Sequence, residues 1–212
     1  MKFNYCSSLS LLLFFVPVSD IWSQMITFPY TASKKELKLV GNIGYSIARF
    51  ENSRSMMLNN EFLCIYESRL KPNRHLGIGI GLGLMSRNRD SLLTTFIQTY
   101  SSLRVPVYYR QYIKASENSF LFFDIGIVYN VILYKKLETS REGKYVTDKY
   151  RNTGSSLAVL LDGGIRIPSP AGFDFEVGIN STTDIVGFFP TKANKLLTKN
   201  TNLYLSVTYE LH

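Results

Sequence analysis

The last twelve residues, Thr201-Asn-Leu-Tyr-Leu-Ser-Val-Thr-Tyr-Glu-Leu-His212, alternate in character one by one. Leu203, Leu205, Val207, Tyr209 and Leu211 fall on one side, and Asn202, Tyr204, Ser206, Thr208 and Glu210 on the other. A period of two over about ten residues is a strand with one apolar and one polar face. About ten residues is also the length a tilted strand needs to cross a bilayer. The pattern recurs upstream, which constrains the whole chain to an all-β architecture.

We read eight strands. The first covers about 37–50, with Leu39, Ile43, Tyr45 and Ile47 on one face. The second covers about 58–70, where Phe62, Cys64 and Tyr66 oppose Glu61, Glu67 and Arg69. In the third, 75–86, Leu76, Ile78, Ile80, Leu82 and Leu84 alternate with Gly77, Gly79, Gly81 and Gly83. The fourth, about 98–113, sets Leu103, Val105, Val107 and Tyr109 against Arg104, Pro106, Tyr108 and Arg110. The fifth, 120–134, sets Phe123, Ile125, Ile127 and Tyr129 against Asp124, Gly126 and Asn130. The sixth, 155–167, carries Asp162, Gly164 and Arg166 on its polar face. The seventh, about 173–184, carries Asp174, Glu176, Gly178 and Asn180. The eighth is the terminal run.

The connections alternate in length. Lys71-Pro-Asn-Arg74, Ala115-Ser-Glu-Asn-Ser119 and Pro168-Ser-Pro-Ala-Gly172 have the composition of turns. The others are longer and more polar. The longest, 135–152, carries Lys135, Lys136, Arg141, Lys144, Lys149 and Arg151; the last carries Lys192, Lys195 and Lys199. Short turns at one end and long loops at the other predict an eight-stranded antiparallel up-and-down transmembrane β-barrel, with the short side and both termini periplasmic and the basic loops extracellular.

Residues 1–23 read as a secretory signal: Lys2, then an apolar run from Leu9 to Val18 too short to span a membrane as a helix. Cutting after Ser23 removes Lys2 and Asp20, leaves the net charge at +8, and keeps Cys64 as the single cysteine, so no internal disulfide forms. Residues 24–36 are then a short periplasmic segment and 37–212 the barrel. Mean hydropathy of +0.00 does not oppose this, because inward and outward residues cancel in an average.

Periodicity does not fix which face points inward. The alternative is a soluble exported eight-stranded barrel holding a small apolar ligand inside, of lipocalin type. The glycine column of strand three favours a polar lumen, where missing side chains make room for Tyr108, Arg104 and Arg110. Glu61, Glu67, Arg69, Arg104, Arg110, Asp124, Asp162, Arg166, Asp174, Glu176 and Glu210 then form a lumen polar network of both signs, in which Arg104, Arg110 and Arg166 each meet a carboxylate from a neighbouring strand. Such a network is a packed polar core ahead of an ion or proton path. Phe123, Tyr129, Phe173 and Tyr209 are the expected aromatic girdle. Pro106 is expected to mark a bulge or a strand end.

Ser102-Leu-Arg-Val-Pro-Val-Tyr-Tyr109 resembles a strand of the PorT-like outer-membrane β-barrel family of the Bacteroidetes group, and Gly178-Ile-Asn-Ser-Thr-Thr-Asp-Ile185 is similar to its late strand. The resemblance covers roughly residues 30–212. It implies an eight-stranded barrel in the cell outer membrane, and no single activity: one member takes part in protein secretion. One departure is the ending, where the aromatic Tyr209 stands three places before the C-terminus.

Enzymatic chemistry is not expected. The chain has only His75 and His212, read as a turn residue and a terminus. No histidine pair or cysteine cluster is spaced for a metal. The glycine-rich run lies within a strand, not before a helix, which excludes dinucleotide binding. Asp148 and Asp184 read as solvated loop or rim residues. No catalytic residue, cofactor or metal follows. The expected role is structural, secretion-associated or surface-interacting. The partners are outer-membrane lipid, anionic lipopolysaccharide reached by the basic loops, and an unidentified envelope or secretion protein; nucleic acid is not among them. The basic loops read equally as solvated segments, since Glu138, Glu142 and Asp148 dilute them.

Overall fold

The computed structural model describes residues 35–49, 54–91, 94–116, 118–141, 144–170, 172–189 and 196–211. The expected signal, residues 1–23, lies outside these, as do Lys192, Lys195 and His212. Eight strands follow in order: β1 Lys35–Arg49, β2 Arg54–Lys71, β3 Arg74–Ser91, β4 Thr94–Ser116, β5 Ser119–Arg141, β6 Lys144–Ile167, β7 Phe173–Phe188 and β8 Leu197–Glu210. Each pairs antiparallel with the next, and β8 closes on β1 from Glu36↔Glu210 to Arg49↔Leu197. The chain is a closed up-and-down barrel without a free edge along its closed part. Lys35 and Glu36, placed by the sequence pattern in the N-terminal segment, open β1 instead.

The alternation sets the faces. In β1, Leu37, Leu39, Ile43, Tyr45 and Ile47 point outward, while Glu36, Lys38, Val40, Asn42, Ser46 and Ala48 are buried inside. The same parity holds in β8, where Leu203, Leu205, Val207 and Tyr209 are exposed. The apolar surface is therefore on the outside and the polar surface in the lumen, opposite to a ligand-holding soluble barrel. From Leu37 to Ile47, this outer band matches the roughly 9–11 residues that span a hydrocarbon core. Of the girdle residues, Phe123, Tyr129 and Tyr209 are exposed, and Phe173 is half-buried edge-on to Phe175 at 5.2 Å.

The connections correct the sequence reading. Residues 135–152 are not a loop. β5 and β6 continue past the expected membrane level and pair from Tyr134↔Arg151 to Arg141↔Lys144, leaving only 142–143 between them. Lys135, Lys136, Arg141, Lys144, Lys149 and Arg151 are thus strand residues, and Lys199 lies in β8. β3 and β4 likewise extend to Ser91↔Thr94. Side chains on both faces of these extensions meet solvent, so no alternation is needed to make a strand there; the ladder alone suffices. The eight residues from Tyr134 to Arg141 rise about 26 Å along the strand axis.

Three local features fit the barrel wall. Pro106 makes neither a bulge nor a strand end. The β3–β4 ladder lapses between Ile78↔Val107 and Gly81↔Arg104 without a change of register, because proline has no N–H to donate. The register shifts fall elsewhere: at Ser101/Ser102, Ile132/Tyr134 and Leu157/Ala158 toward the long hairpins, and at Arg69/Lys71 and Lys114/Ser116 by the short turns. Gly154, at φ 136°, takes a backbone conformation closed to other residues at the second of these.

Candidate functional site

The lumen is filled by side chains in layers. At the short-turn end, the Arg166 guanidinium from β6 donates to Asp174 of the adjacent β7 (2.8 and 2.5 Å) and to both oxygens of Glu36 across the lumen (2.8 and 3.1 Å). The Tyr112 hydroxyl accepts from both Arg166 (2.7 Å) and Arg110 (3.1 Å), joining this layer to the next. There Arg110 makes a two-pronged bond to Asp124, its ladder partner on β5 (both 2.6 Å). It also donates to Glu176 (2.7 and 2.9 Å), and its guanidinium lies 4.2 Å from the Phe122 ring centre. Lys38 sits between Glu67 (2.5 Å) and Glu176 (3.0 Å), and Tyr204 donates to Glu176 (2.7 Å). These charges are buried, a cost that only such mutual pairing offsets.

One layer higher, Arg104 of β4 pairs with Glu61 of β2, two strands away. The strand between them carries the glycines. A Cβ at Gly83 would meet Ser102 Oγ at 2.8 Å and Arg104 Cδ at 3.2 Å, and one at Gly77 would run into the Tyr108 ring. The column thus lets large side chains of β4 cross over β3. Asparagines complete the layer: Asn42 and Asn59 donate to Glu61 (3.0 and 2.7 Å), Asn130 accepts from Arg104 Nε (3.0 Å), and Asn180 donates to Asp162 (2.6 Å).

The long-hairpin end is closed differently. Ala48, Met57, Met85, Tyr100, Ile132 and Leu196 form a buried apolar cluster, with Phe189 packed against it. Just beneath, Ser156 donates to Asp184 (2.8 Å), whose other oxygen accepts from the Thr198 backbone and hydroxyl (2.7 and 2.8 Å). Asp184 is therefore a half-buried bonded residue, not a solvated one. Ser156 stands beside an acid, but no histidine is among the described residues there. The adjoining cavity, lined by Asn59, Arg104, Asn130 and Asn200, measures about 20 Å³, room for one water.

Every residue of the expected lumen network lies on lumen parity. Glu61, Glu67, Arg104, Arg110, Asp124, Arg166, Asp174 and Glu176 are buried, and Asp162, Arg69 and Glu210 are half-buried. His75 is not an exposed turn residue: it is buried inside, edge-on to Tyr112 at 5.1 Å. Glu36, Lys38, Tyr112 and Tyr204 join the network unanticipated; parity with Asn42 in β1, Arg110 in β4 and Glu210 in β8 was the signal for them. Of the basic residues, Lys135 lies 5.9 and 5.7 Å from the Tyr100 and Tyr150 rings, and Lys136 pairs with Glu138 at 2.7 Å. Lys149, Arg151 and Lys199 are exposed, beside exposed Val146 and Tyr150. The side chains of Arg141 and Lys144 lie outside the described residues.

The chain thus has the form of an eight-stranded antiparallel barrel with an apolar outer wall and a polar, filled lumen. No family model matches it, and no curated protein matches it. It is similar in structure to Ail, the attachment invasion locus protein of Yersinia pestis (13% identity, 84% of this chain and 99% of that one, TM-score 0.44). It is also similar to Neisserial surface protein A (8%, 84% and 98%, TM-score 0.48) and to the N-terminal β-barrel domain of OprF from Pseudomonas aeruginosa (7%, 84% and 98%, TM-score 0.44).

Proposed function

We propose that this chain is a non-enzymatic outer-membrane β-barrel protein of the PorT-like type that presents its raised hairpins to the cell exterior for surface interaction. The observation that carries the reading is the division of labour within the strands. A continuous outward apolar belt suits lipid, and among the described residues a lumen occupied by ion pairs and capped by Met57, Met85, Tyr100, Ile132 and Leu196 leaves no bore for a substrate or an ion stream. What remains for contact is the part of β3 to β6 above the belt. Its exposed cations Lys149 and Arg151 stand at the height of anionic headgroups and sugars, which positive charge attracts. The short turns and both termini face the periplasm, behind a cleaved signal of residues 1–23.

Two measurements test this. The protein is expected in the detergent-extracted outer-membrane fraction; recovery from the soluble periplasm would overturn the reading. The detergent-solubilised protein is expected to bind immobilised lipopolysaccharide at low salt. Lys149→Glu with Arg151→Glu should weaken that binding at least about thirtyfold, since each charge near an anionic surface contributes about 1 kcal/mol and about 1.4 kcal/mol is tenfold. Binding unchanged by the double reversal would move the contact surface elsewhere.

A further inference from the structure

At the short-turn end, three side chains converge with lone pairs that the protein itself leaves unused. Glu36 is the second residue of β1, Glu67 lies near the end of β2, and His75 is the second residue of β3. All three are fully buried, and one ligand atom from each lies within 4.8 Å of the others. Both ring nitrogens of His75 and Oε2 of Glu67 lack any hydrogen-bond partner. His75 Nδ1 stands 3.7 Å from that oxygen, too far for a hydrogen bond. Unsatisfied polar atoms in a buried place are costly, and one nitrogen of His75 together with Oε2 of Glu67 calls for an explanation. Glu36 accepts one bond from Arg166 on each oxygen (2.8 and 3.1 Å), which leaves each oxygen a second lone pair.

The charges point the same way. Around this point the buried carboxylates are those of Glu36, Glu67, Asp124, Asp174 and Glu176, while the buried cations are Lys38, Arg110 and Arg166. Among these buried groups carboxylates outnumber cations, with Arg69 and Arg74 half-buried at the same end. In the ladders His75 is flanked by Arg69 and Arg110; the Arg110 guanidinium binds Asp124 and Glu176 and also stands 3.4 Å from Oε1 of Glu67, which leaves Oε2 to the His75 side.

We propose that Glu36, Glu67 and His75 form a binding site for a divalent transition-metal ion just inside the short-turn mouth of the barrel. One imidazole nitrogen and two carboxylate oxygens are the mixed donor set that Zn²⁺ and its neighbours take, with a fourth position left to water. Mg²⁺ and Ca²⁺, which require six or more oxygens, do not fit it. A bound ion would fasten the ends of β1, β2 and β3 together. Glu67 would contribute Oε2 while Oε1 stays with Lys38.

The test is calorimetric titration of the folded protein with Zn²⁺ at neutral pH, in a Cys6→Ser, Cys64→Ser, His212→Gln background that removes competing ligands. The expected result is one Zn²⁺ per chain, a raised melting temperature, and no competition from Mg²⁺. His75→Gln, with the barrel verified by circular dichroism, should weaken binding at least about tenfold; Glu67→Gln should do the same. Absence of saturable binding would overturn the proposal, as would affinity unchanged in His75→Gln.

Discussion

Arg110 is the side chain on which most of the lumen converges, and its replacement by methionine is the sharpest perturbation of it. Methionine keeps most of the stem and removes the charge. Asp124 then loses both of its bonds to the guanidinium (2.6 Å each), and its cross-strand neighbour on the other side is Asp162, a like charge. Glu176 loses two bonds but keeps Lys38 at 3.0 Å, Tyr204 at 2.7 Å and Ser206 at 3.1 Å. The cost therefore falls mainly on Asp124. Breaking a buried pair by removing one partner costs about 3–5 kcal/mol, because a charge is left uncompensated. Arg110→Met should lower the unfolding free energy by that amount. Adding Asp124→Asn removes the stranded charge, so the double variant should recover about 2 kcal/mol relative to the sum of the singles. The assay is urea unfolding from phospholipid vesicles, with the folded fraction read by circular dichroism and by the mobility of unheated samples on gels. A cost under about 1 kcal/mol, or additive single effects, would refute the reasoning.

Two outward- and inward-facing glycines should part ways: a Cβ at Gly41 meets nothing within 4 Å, so Gly41→Ala should change stability by less than about 0.5 kcal/mol. At Gly81 the Cβ would collide with the Phe62 carbonyl oxygen and the Leu63 backbone, so Gly81→Ala should abolish or severely weaken folding on the same gels. Planar bilayers containing the protein should show no discrete conductance steps, because the ion-paired layers and the cluster around Tyr100 fill the lumen. Raising salt from about 0.05 to 1 M should leave unfolding almost unchanged, since water does not reach the buried pairs, while lipopolysaccharide binding by the hairpins should fall steeply; Debye lengths of about 10 Å at 0.1 M and 3 Å at 1 M govern the second and not the first.

The wall of the barrel was legible because lipid and lumen impose opposite demands on successive residues, and Leu76 to Leu84 with their intervening glycines state this as plainly as a sequence can. The hairpins were not legible, because above the belt water lies on both sides. Lys135-Lys136-Leu137-Glu138 has no reason to alternate, and polar residues on both faces read as a loop. Lys38 was hidden by its neighbour: Val40 is an apolar residue on the lumen side, so Leu37-Lys38-Leu39-Val40 breaks the period at the point where the buried lysine begins. His75 was misplaced by its nearness to the Pro72-Asn73 turn, although it shares parity with Gly77 and so had to face inward. The pairing of Arg104 with Glu61 was beyond reach from the sequence, since it depends on a side chain crossing a strand that has none. The cap of Met57, Met85, Tyr100 and Ile132 was visible only as apolar residues on polar parity, a signal that points to an end of the lumen once the register is known.

The central claim is that the apolar face of these strands meets lipid, and Cys64 reports on it directly. It lies on the outward face of β2 between Phe62 and Tyr66, and in a Cys6→Ser chain it is the only thiol. A nitroxide attached to Cys64 in bilayer-reconstituted protein should relax readily with dissolved oxygen and scarcely with a water-soluble nickel chelate, the signature of the hydrocarbon core. Ready access to the nickel chelate would place this face in water and contradict the account.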